Sequence, residues 1–323
     1  MVKIKIGVIG VGYLGRIHAA KYAAMDDVDL VGVADSSREA AEEVAGKCHT
    51  TPYNDYRELL DRVDAVSVVV PTSLHYQVAA DCFARGVDVM LEKPMTRNLD
   101  ESDALIRTSE AKGLILQVGH LERFNPAVVA MQDYLTCPLF IESRRVHRFN
   151  PRGSDVDVVL DLMIHDIDII LNITPQPLKD IRTIGTSVVT GYTDVANTQL
   201  IFADGCTASV NVSRVDLNNI RSLRIFQPDS TISVNYADKE VTIIKRKNAL
   251  SEDGRPIEEY ADLCFSEQDA LADELSHFVD CVRLRQVPLV SGLEGRRALQ
   301  VALQIIDQLE AHRRSHQDLL CQN

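Results

Sequence analysis

The chain has 323 residues, 46% hydrophobic and 25% charged, an ordinary globular composition long enough for two domains of roughly 100–200 residues each. Its 34 Lys and Arg against 47 Asp and Glu give a formal charge of −13, a field that repels nucleic acid and anionic membrane surfaces. Small molecules and other protein chains are left as the expected partners.

The amino terminus, Met1 to Ile6, runs directly into a strand pattern and lacks the longer apolar stretch of a signal peptide. No uninterrupted apolar run approaches the ~20 residues of a membrane span. Seven scattered cysteines contain no CxxC pair, which argues for reduced thiols and against a disulfide framework or a zinc knuckle. The expected location is the cytoplasm.

Strand and helix signals alternate along the first third. Strands are expected at Ile4 to Ile9, Val28 to Ala34, Ala65 to Val70, Val87 to Leu91 and Leu114 to Val118. Helices are expected at Leu14 to Ala24, Ser37 to Lys47, Tyr56 to Asp61, Leu74 to Arg85 and Leu99 to Lys112. Such a ladder is the signature of a doubly wound parallel sheet, a Rossmann-type α/β fold. The near-continuous apolar run Val66 to Val70 suits a central strand covered on both faces.

After about His120 the pattern changes, and the expected division is 1–120 for a dinucleotide-binding domain and 121–323 for a substrate-binding and oligomerisation domain. Thr198 to Ser213 reads as a hairpin around a type I′ turn at Asp204-Gly205, with strict alternation from Cys206 to Ser213. Strands near Arg221 to Gln227, Thr231 to Asn235 and Glu240 to Lys245 extend a large, mainly antiparallel open sheet. Two helices are expected at the end, Gln268 to Arg285 and Leu293 to His312. The second presents Leu299, Leu303, Ile306 and Leu309 as an apolar stripe.

The first chemical motif is Gly10-Val11-Gly12-Tyr13-Leu14-Gly15, which follows a strand and opens a helix. Glycines there permit a tight turn and close approach of backbone to a pyrophosphate, and the helix N-terminus favours the anion. Asp35 stands twenty residues beyond Gly15, at the end of the second strand. A carboxylate in that place accepts a ribose diol and repels a 2′-phosphate, which selects NAD, although Arg38 leaves dual use of NADP open. Cofactor contacts are expected from Gly10, Gly12, Tyr13, Leu14, Gly15, Asp35, Ser36, Arg38, Glu92 and Lys93.

Glu92-Lys93-Pro94 ends the apolar run Val87 to Leu91. A lysine at the carboxyl end of a parallel strand faces the crevice where open α/β sheets bind ligands.

A second constellation lies between Ser154 and Asp168, with Ser154 and Asp157 forming a capping-box-like start. At about 100° per residue, Asp157, Asp161, His165, Asp168 and Asn172 share a stripe about 80° wide on an otherwise apolar helix. The stripe either faces water or makes His165, one turn from Asp161, an oriented acid/base pair. No third ligand accompanies these two, so no metal is expected. Just before this helix, Arg144, Arg145, Arg148 and Arg152 place four arginines in nine residues beside His147. They form either a diphosphate site or a solvated strand paired with acids.

Taken together, the Gly10 to Gly15 turn, Pro71-Thr72-Ser73-Leu74-His75, Glu92-Lys93-Pro94 and Asp161-x-x-x-His165 resemble one family in order and spacing. It is the glucose-fructose oxidoreductase, inositol dehydrogenase and MocA (Gfo/Idh/MocA) family, and the resemblance spans almost the whole chain. It implies a Rossmann domain followed by an α/β domain whose open sheet joins copies into homodimers or homotetramers. Lys93, Asp161 and His165 are then expected at the nicotinamide and substrate, with Pro71, Thr72 and His75 along the cofactor. The segments Val118 to Val128 and Val158 to Asp168 are similar to members that oxidise C3 of UDP-N-acetylglucosamine, which brings Arg123 and Asn125 forward as substrate-binding candidates; Arg148 and Arg152 join them independently, from the arginine cluster. Many sugar-oxidising relatives carry Asn-Arg-Arg where this chain has Leu121-Glu122-Arg123, so their contacts do not transfer.

The implied reaction is hydride transfer from a sugar carbinol to NAD, with Lys93 and His165 sharing the hydroxyl and Asp161 orienting His165. Oxidation of a free sugar or inositol, NAD-dependent glycosidase action and a non-catalytic NAD-binding regulator are the other readings of the same motifs.

Overall fold

Short apolar runs separated by capped amphipathic helices dictate the first half of the architecture. The computed structural model describes residues 2–150, 156–251, 253 and 256–321. Its contacts divide the chain into two units, Met1–Leu121 with Asp269–Leu299, and Glu122–Gln268 with Gln300–Asn323. The segment 269–299, expected with the second half, thus packs within the first unit.

In the first unit the strands are β1 (Ile4–Ile9), β2 (Val28–Ala34), β3 (Thr51–Tyr53), β4 (Ala65–Val68), β5 (Asp88–Glu92) and β6 (Leu116–Gly119). Between them run α1 (Tyr13–Ala23), α2 (Arg38–Cys48), the single turn α3 (Arg57–Leu60), α4 (Thr72–Ala84) and α5 (Leu99–Lys112). All pairings are parallel, in the order β3-β2-β1-β4-β5-β6, which is that of a doubly wound dinucleotide-binding sheet. Every residue of β4 and β5 is buried, as strands covered on both faces require. The expected strands and helices are all present, while β3 carried no clear apolar signal.

Caps set the helix ends. Ser37 accepts from the Ala40 amide at the start of α2, and Asn98 accepts from the Glu101 amide at the start of α5. Gly113 closes α5 in the left-handed conformation that glycine tolerates best.

The second unit is built on an eight-stranded sheet. Its strands are β7 (Phe140–Val146), β8 (Leu178–Thr186), β9 (Val195–Phe202), β10 (Thr207–Ser213), β11 (Ile220–Phe226), β12 (Ser230–Asn235), β13 (Glu240–Leu250) and β14 (Pro256–Cys264). The order is β14-β13-β12-β11-β7-β10-β9-β8, antiparallel except between β7 and β10. Ahead of β7 come a 3₁₀ turn at Leu121–Phe124 and α6 (Pro126–Met131), while α7 (Ile164–Ile173) lies against β7. One sheet face buries Ile141, Ala208, Val210, Val212, Leu223 and Ile225. The other carries Phe140, Glu142, Arg144 and Arg224, each well exposed in the single chain.

The final helices are α8 (Ala270–Leu284), capped by Asp269 on the amides of Leu271 and Ala272, and α9 (Gly292–Cys321). Among the described residues no helix is long and apolar enough to cross a membrane.

Three local expectations are corrected. The β9–β10 turn is a three-residue loop: the Gly205 amide donates to Phe202 O at 3.1 Å, and Gly205 alone of Asp204-Gly205 has positive φ. That is a type I turn with a glycine bulge, whereas type I′ would require positive φ at both residues. The buried stripe of α9 is Ala298, Leu299, Ala302, Ile305 and Leu309: Leu299 and Leu309 are buried as expected, while Leu303 and Ile306 are only partly buried. Third, the segment Val159–Met163 is a π-helical turn leading into α7. Its wider winding breaks the constant angular step on which the expected polar stripe rested.

Candidate functional site

At the end of β1 the chain turns through Gly10, whose φ is +88° and whose amide donates to Ala34 O at 2.8 Å. A Cβ on Gly15 would fall 1.8 Å from the Gly10 carbonyl oxygen, so α1 can close on the turn only with glycine there. Gly12 is different: a Cβ on it would meet nothing within 4 Å. Its bareness serves whatever lies outside the fold. Helix α1 starts at Tyr13 and Leu14 without a side-chain cap or an acidic residue in its first turn. A bare backbone surface at an uncapped helix N-terminus fits the pyrophosphate of a dinucleotide.

The Asp35 carboxylate is anchored at this turn. Oδ2 accepts the Val11 amide at 2.8 Å, and Oδ1 accepts the Ser37 amide at 2.9 Å. Ser36 is exposed beside it, and Arg38 donates to Glu42 one helical turn on.

Lys93 follows the last residue of β5 and is half-buried, with a cis peptide to Pro94. The Glu92 carboxylate turns inward, where it meets His18 Nε2 at 3.3 Å and accepts the Lys93 amide at 3.3 Å. Burial pushes the Glu92 carboxyl up, but His18, the Lys93 ammonium and the Lys93 amide outweigh it and hold the group below the usual carboxylate range. A Cβ on Gly119 would come within 3.0 Å of that carboxylate, which explains a glycine at the end of β6.

Pro71 and Thr72 begin α4 just beyond β4, Pro71 exposed and Thr72 partly so. His75 points the other way. It is 1% exposed, with Nδ1 2.9 Å from Pro94 O and Nε2 2.9 Å from Val70 O. Its ring nitrogens are therefore engaged with backbone carbonyls, and it serves as a strut between α4 and the turn that carries Lys93.

In the second unit Asp161 lies within the π turn and His165 at the start of α7; both are partly exposed. Asp157 accepts the amides of Val159 and Thr193, which starts this helix; Ser154, its expected capping partner, lies outside the described residues. Asp168 departs from the stripe, being 3% exposed with the Arg123 guanidinium 3.5 Å away. Asn125 is also buried; it caps α6 through the Ala127 amide and donates to Tyr236 O and Glu122. The structure thus gives Arg123 and Asn125 packing and capping work inside the second unit.

The arginine cluster separates into different environments. Arg145 is buried, donating to Asp166 at 2.8 Å and to Glu122 at 2.9 Å, with its guanidinium over the Tyr236 ring. Desolvation opposes its charge, but those two carboxylates prevail and hold it firmly protonated. Arg144 pairs with Asp216, and Arg148 donates to Leu217 O from an exposed position. Arg152 lies outside the described residues. The solvated-strand reading therefore describes Arg144, and a buried ion pair describes Arg145.

Sequence reasoning passed over His18, Tyr22, Ser67 and Asp166. His18 and Tyr22 stand one helical turn apart on the buried side of α1, and Asp166 stands opposite the polar stripe. Each is a polar residue on a face that the apolar pattern assigns to the core, the signal by which they were recognisable.

A family model described as an oxidoreductase family with an NAD-binding Rossmann fold matches residues 4–120. UDP-N-acetylglucosamine 3-dehydrogenase of Acidithiobacillus ferrooxidans is 38% identical over 96% of this chain and 99% of its own length. A solved structure of that dehydrogenase superimposes with a TM-score of 0.91 at 36% identity, covering 96% of this chain and 99% of the other. The NAD-dependent scyllo-inositol 2-dehydrogenase of Bacillus subtilis is 26% identical over 93% of this chain and 92% of its own.

Proposed function

The chain belongs to the Gfo/Idh/MocA family of NAD-binding oxidoreductases, and from that premise we propose that it oxidises C3 of UDP-N-acetylglucosamine or of a closely related nucleotide sugar. The observation that carries this reading is the full-length similarity to an enzyme named for that reaction, which exceeds the similarity to the inositol dehydrogenase.

In the proposed reaction a secondary alcohol becomes a ketone, losing a hydride from carbon and a proton from oxygen. NAD, when bound, supplies the hydride acceptor. The Gly10 to Gly15 turn would hold its pyrophosphate and Asp35 its adenosine ribose. Proton handling is assigned to Lys93 in the first unit and to His165, four residues from Asp161, in the second. A positioned acid or base contributes roughly 10² to 10⁴ in rate. The nucleotide diphosphate is assigned to Arg148 and Arg152, since Arg145 is committed to Asp166 and Glu122.

The exposed sheet face is assigned to contacts between copies of this chain. Phe140 and Phe226 stand there with ring centroids 5.9 Å apart, and light scattering of the purified protein tests the assignment.

The deciding experiment incubates purified protein with NAD and a panel of UDP-sugars, inositols and free hexoses, following NADH and product mass. A keto product two hydrogens lighter than UDP-N-acetylglucosamine, with stoichiometric NADH, is expected. Neither NADH nor keto product with that sugar rejects this substrate, and NADH with an inositol or free hexose redirects the assignment within the family.

A further inference from the structure

The residues on either side of Lys93 are each met by a buried histidine. On the amino-terminal side, His18 of α1 is 0% exposed and places Nε2 3.3 Å from Glu92 Oε1. On the carboxy-terminal side, His75 of α4 places Nδ1 2.9 Å from Pro94 O, while its Nε2 lies 2.9 Å from Val70 O beyond β4. Behind His18 the contacts continue inward: Nδ1 is 3.3 Å from Ser67 Oγ, and Ser67 Oγ is 2.9 Å from Tyr22 Oη. Ser67 and Tyr22 are completely buried.

One set of donors and acceptors suits these contacts. Tyr22 donates to Ser67, Ser67 donates to His18 Nδ1, and the proton on Nε2 faces the Glu92 carboxylate. Buried polar side chains are costly unless satisfied, and apolar residues would fill the same volume without that cost. The contacts from Tyr22 through Ser67 and His18 to Glu92 instead hold these side chains in one geometry. His18 also lies three residues past Gly15, so the helix that begins at the glycine turn reaches the end of β5.

We infer that His18 and His75 are positioning residues for Lys93, fixing Glu92 and Pro94 and thereby the backbone that carries the lysine amine. The inference rests on the assignment of Lys93 as a proton-handling residue. The titratable groups facing Glu92 are His18 and Tyr22 from α1, Lys93 beside it and His75 from α4, while Tyr22 also faces Glu274 of α8.

The test uses the full chain with His18→Leu, His18→Gln and His75→Leu, each made in the native background and again with Lys93→Met. Displacing a reacting group by about an ångström can cost ~100-fold in rate. His18→Leu and His75→Leu are therefore expected to lower kcat about 10- to 100-fold, with the calorimetric Kd for NAD changed by less than about threefold. His18→Gln should recover part of the loss, because its amide can still donate to Glu92. In the Lys93→Met background the histidine changes should cost less than about twofold, since they act through the lysine.

An equal cost in both backgrounds assigns the histidines a merely structural role and overturns the inference, as does an unchanged kcat in both leucine variants. If a leucine variant loses NAD binding through misfolding, His18→Gln carries the test by the same comparison, and a cost in the Lys93→Met background equal to its cost in the native background overturns the inference. Full turnover by Lys93→Met alone removes the lysine assignment itself, whatever the histidine variants do.

Discussion

The carboxylate of Asp35 accepts the backbone amide of Val11 at 2.8 Å, joining the end of β2 to the middle of the glycine turn. The residue expected to choose the cofactor thus also holds the turn that would cradle it. A hydrogen bond to a charged group contributes about 1.5–3 kcal/mol, or about 10- to 100-fold in affinity. Asp35→Ala should weaken NAD binding by about that factor while weakening NADP less, because removal of the charge also relieves repulsion of a 2′-phosphate. Titration calorimetry with both cofactors checks it; equal losses would separate Asp35 from cofactor choice.

Gly12 and Gly15, two glycines of the same turn, predict opposite outcomes. Gly15→Ala places a Cβ 1.8 Å from the Gly10 carbonyl and should lower the melting temperature sharply or abolish soluble expression. Gly12→Ala meets no atom of the fold, so it should keep the native melting temperature yet lose NAD affinity about tenfold or more. Thermal melts with and without NAD distinguish the two.

Lys93→Met and His165→Asn should each lower turnover by roughly 10² to 10⁴. NAD affinity should stay within about threefold, because neither change touches the glycine turn. Steady-state kinetics with parallel calorimetry provide the comparison, and a loss confined to NAD binding would contradict both roles.

Arg145 compensates Asp166 and Glu122 where all three are largely excluded from water. Arg145→Met should destabilise the second unit by about 3–5 kcal/mol, since it strands buried carboxylate charge. Adding Asp166→Leu and Glu122→Gln should return much of that loss. Urea unfolding followed by far-ultraviolet circular dichroism measures both; a neutral single substitution would refute the ion-pair account.

Asp194 supplies a pH dependence. Its buried carboxylate accepts the amides of Val188, Val189 and Thr190 at 2.7, 2.6 and 2.9 Å and the Thr190 hydroxyl at 2.6 Å. Burial raises its pKa, but these donors prevail and hold it at about 2. An unfolded aspartate titrates near 3.9. The depressed folded value means that stabilisation of about 2–3 kcal/mol is present above pH ~4 and is lost as pH falls toward ~2. Asp194→Asn should lose that increment at neutral pH and flatten stability between those limits, as measured by denaturant midpoints across the range.

The Rossmann order, the glycine turn, the place of Asp35 directly after β2 and the location of Lys93 at a strand end were legible in the linear chain. Each depends on residues close in sequence, through turn geometry, strand period and caps. The arrangement around the second-unit helix was only partly legible. Its π turn changes which side chains share a face, and the sheet decides which of its acids are buried, so Asp168 meets Arg123 while Asp161 and His165 stay partly exposed.

By itself, then, the sequence determined the fold class, the family and the chemical types available at the motifs. Only the tertiary structure decided that Arg145 is spent on a buried ion pair, that His75 turns to backbone carbonyls, and that His18 reaches Glu92. Those outcomes depend on contacts between residues far apart in the chain. Burial makes an unpartnered charge or ring nitrogen too costly to leave, but the partner is set by which strands and helices the folded chain places side by side.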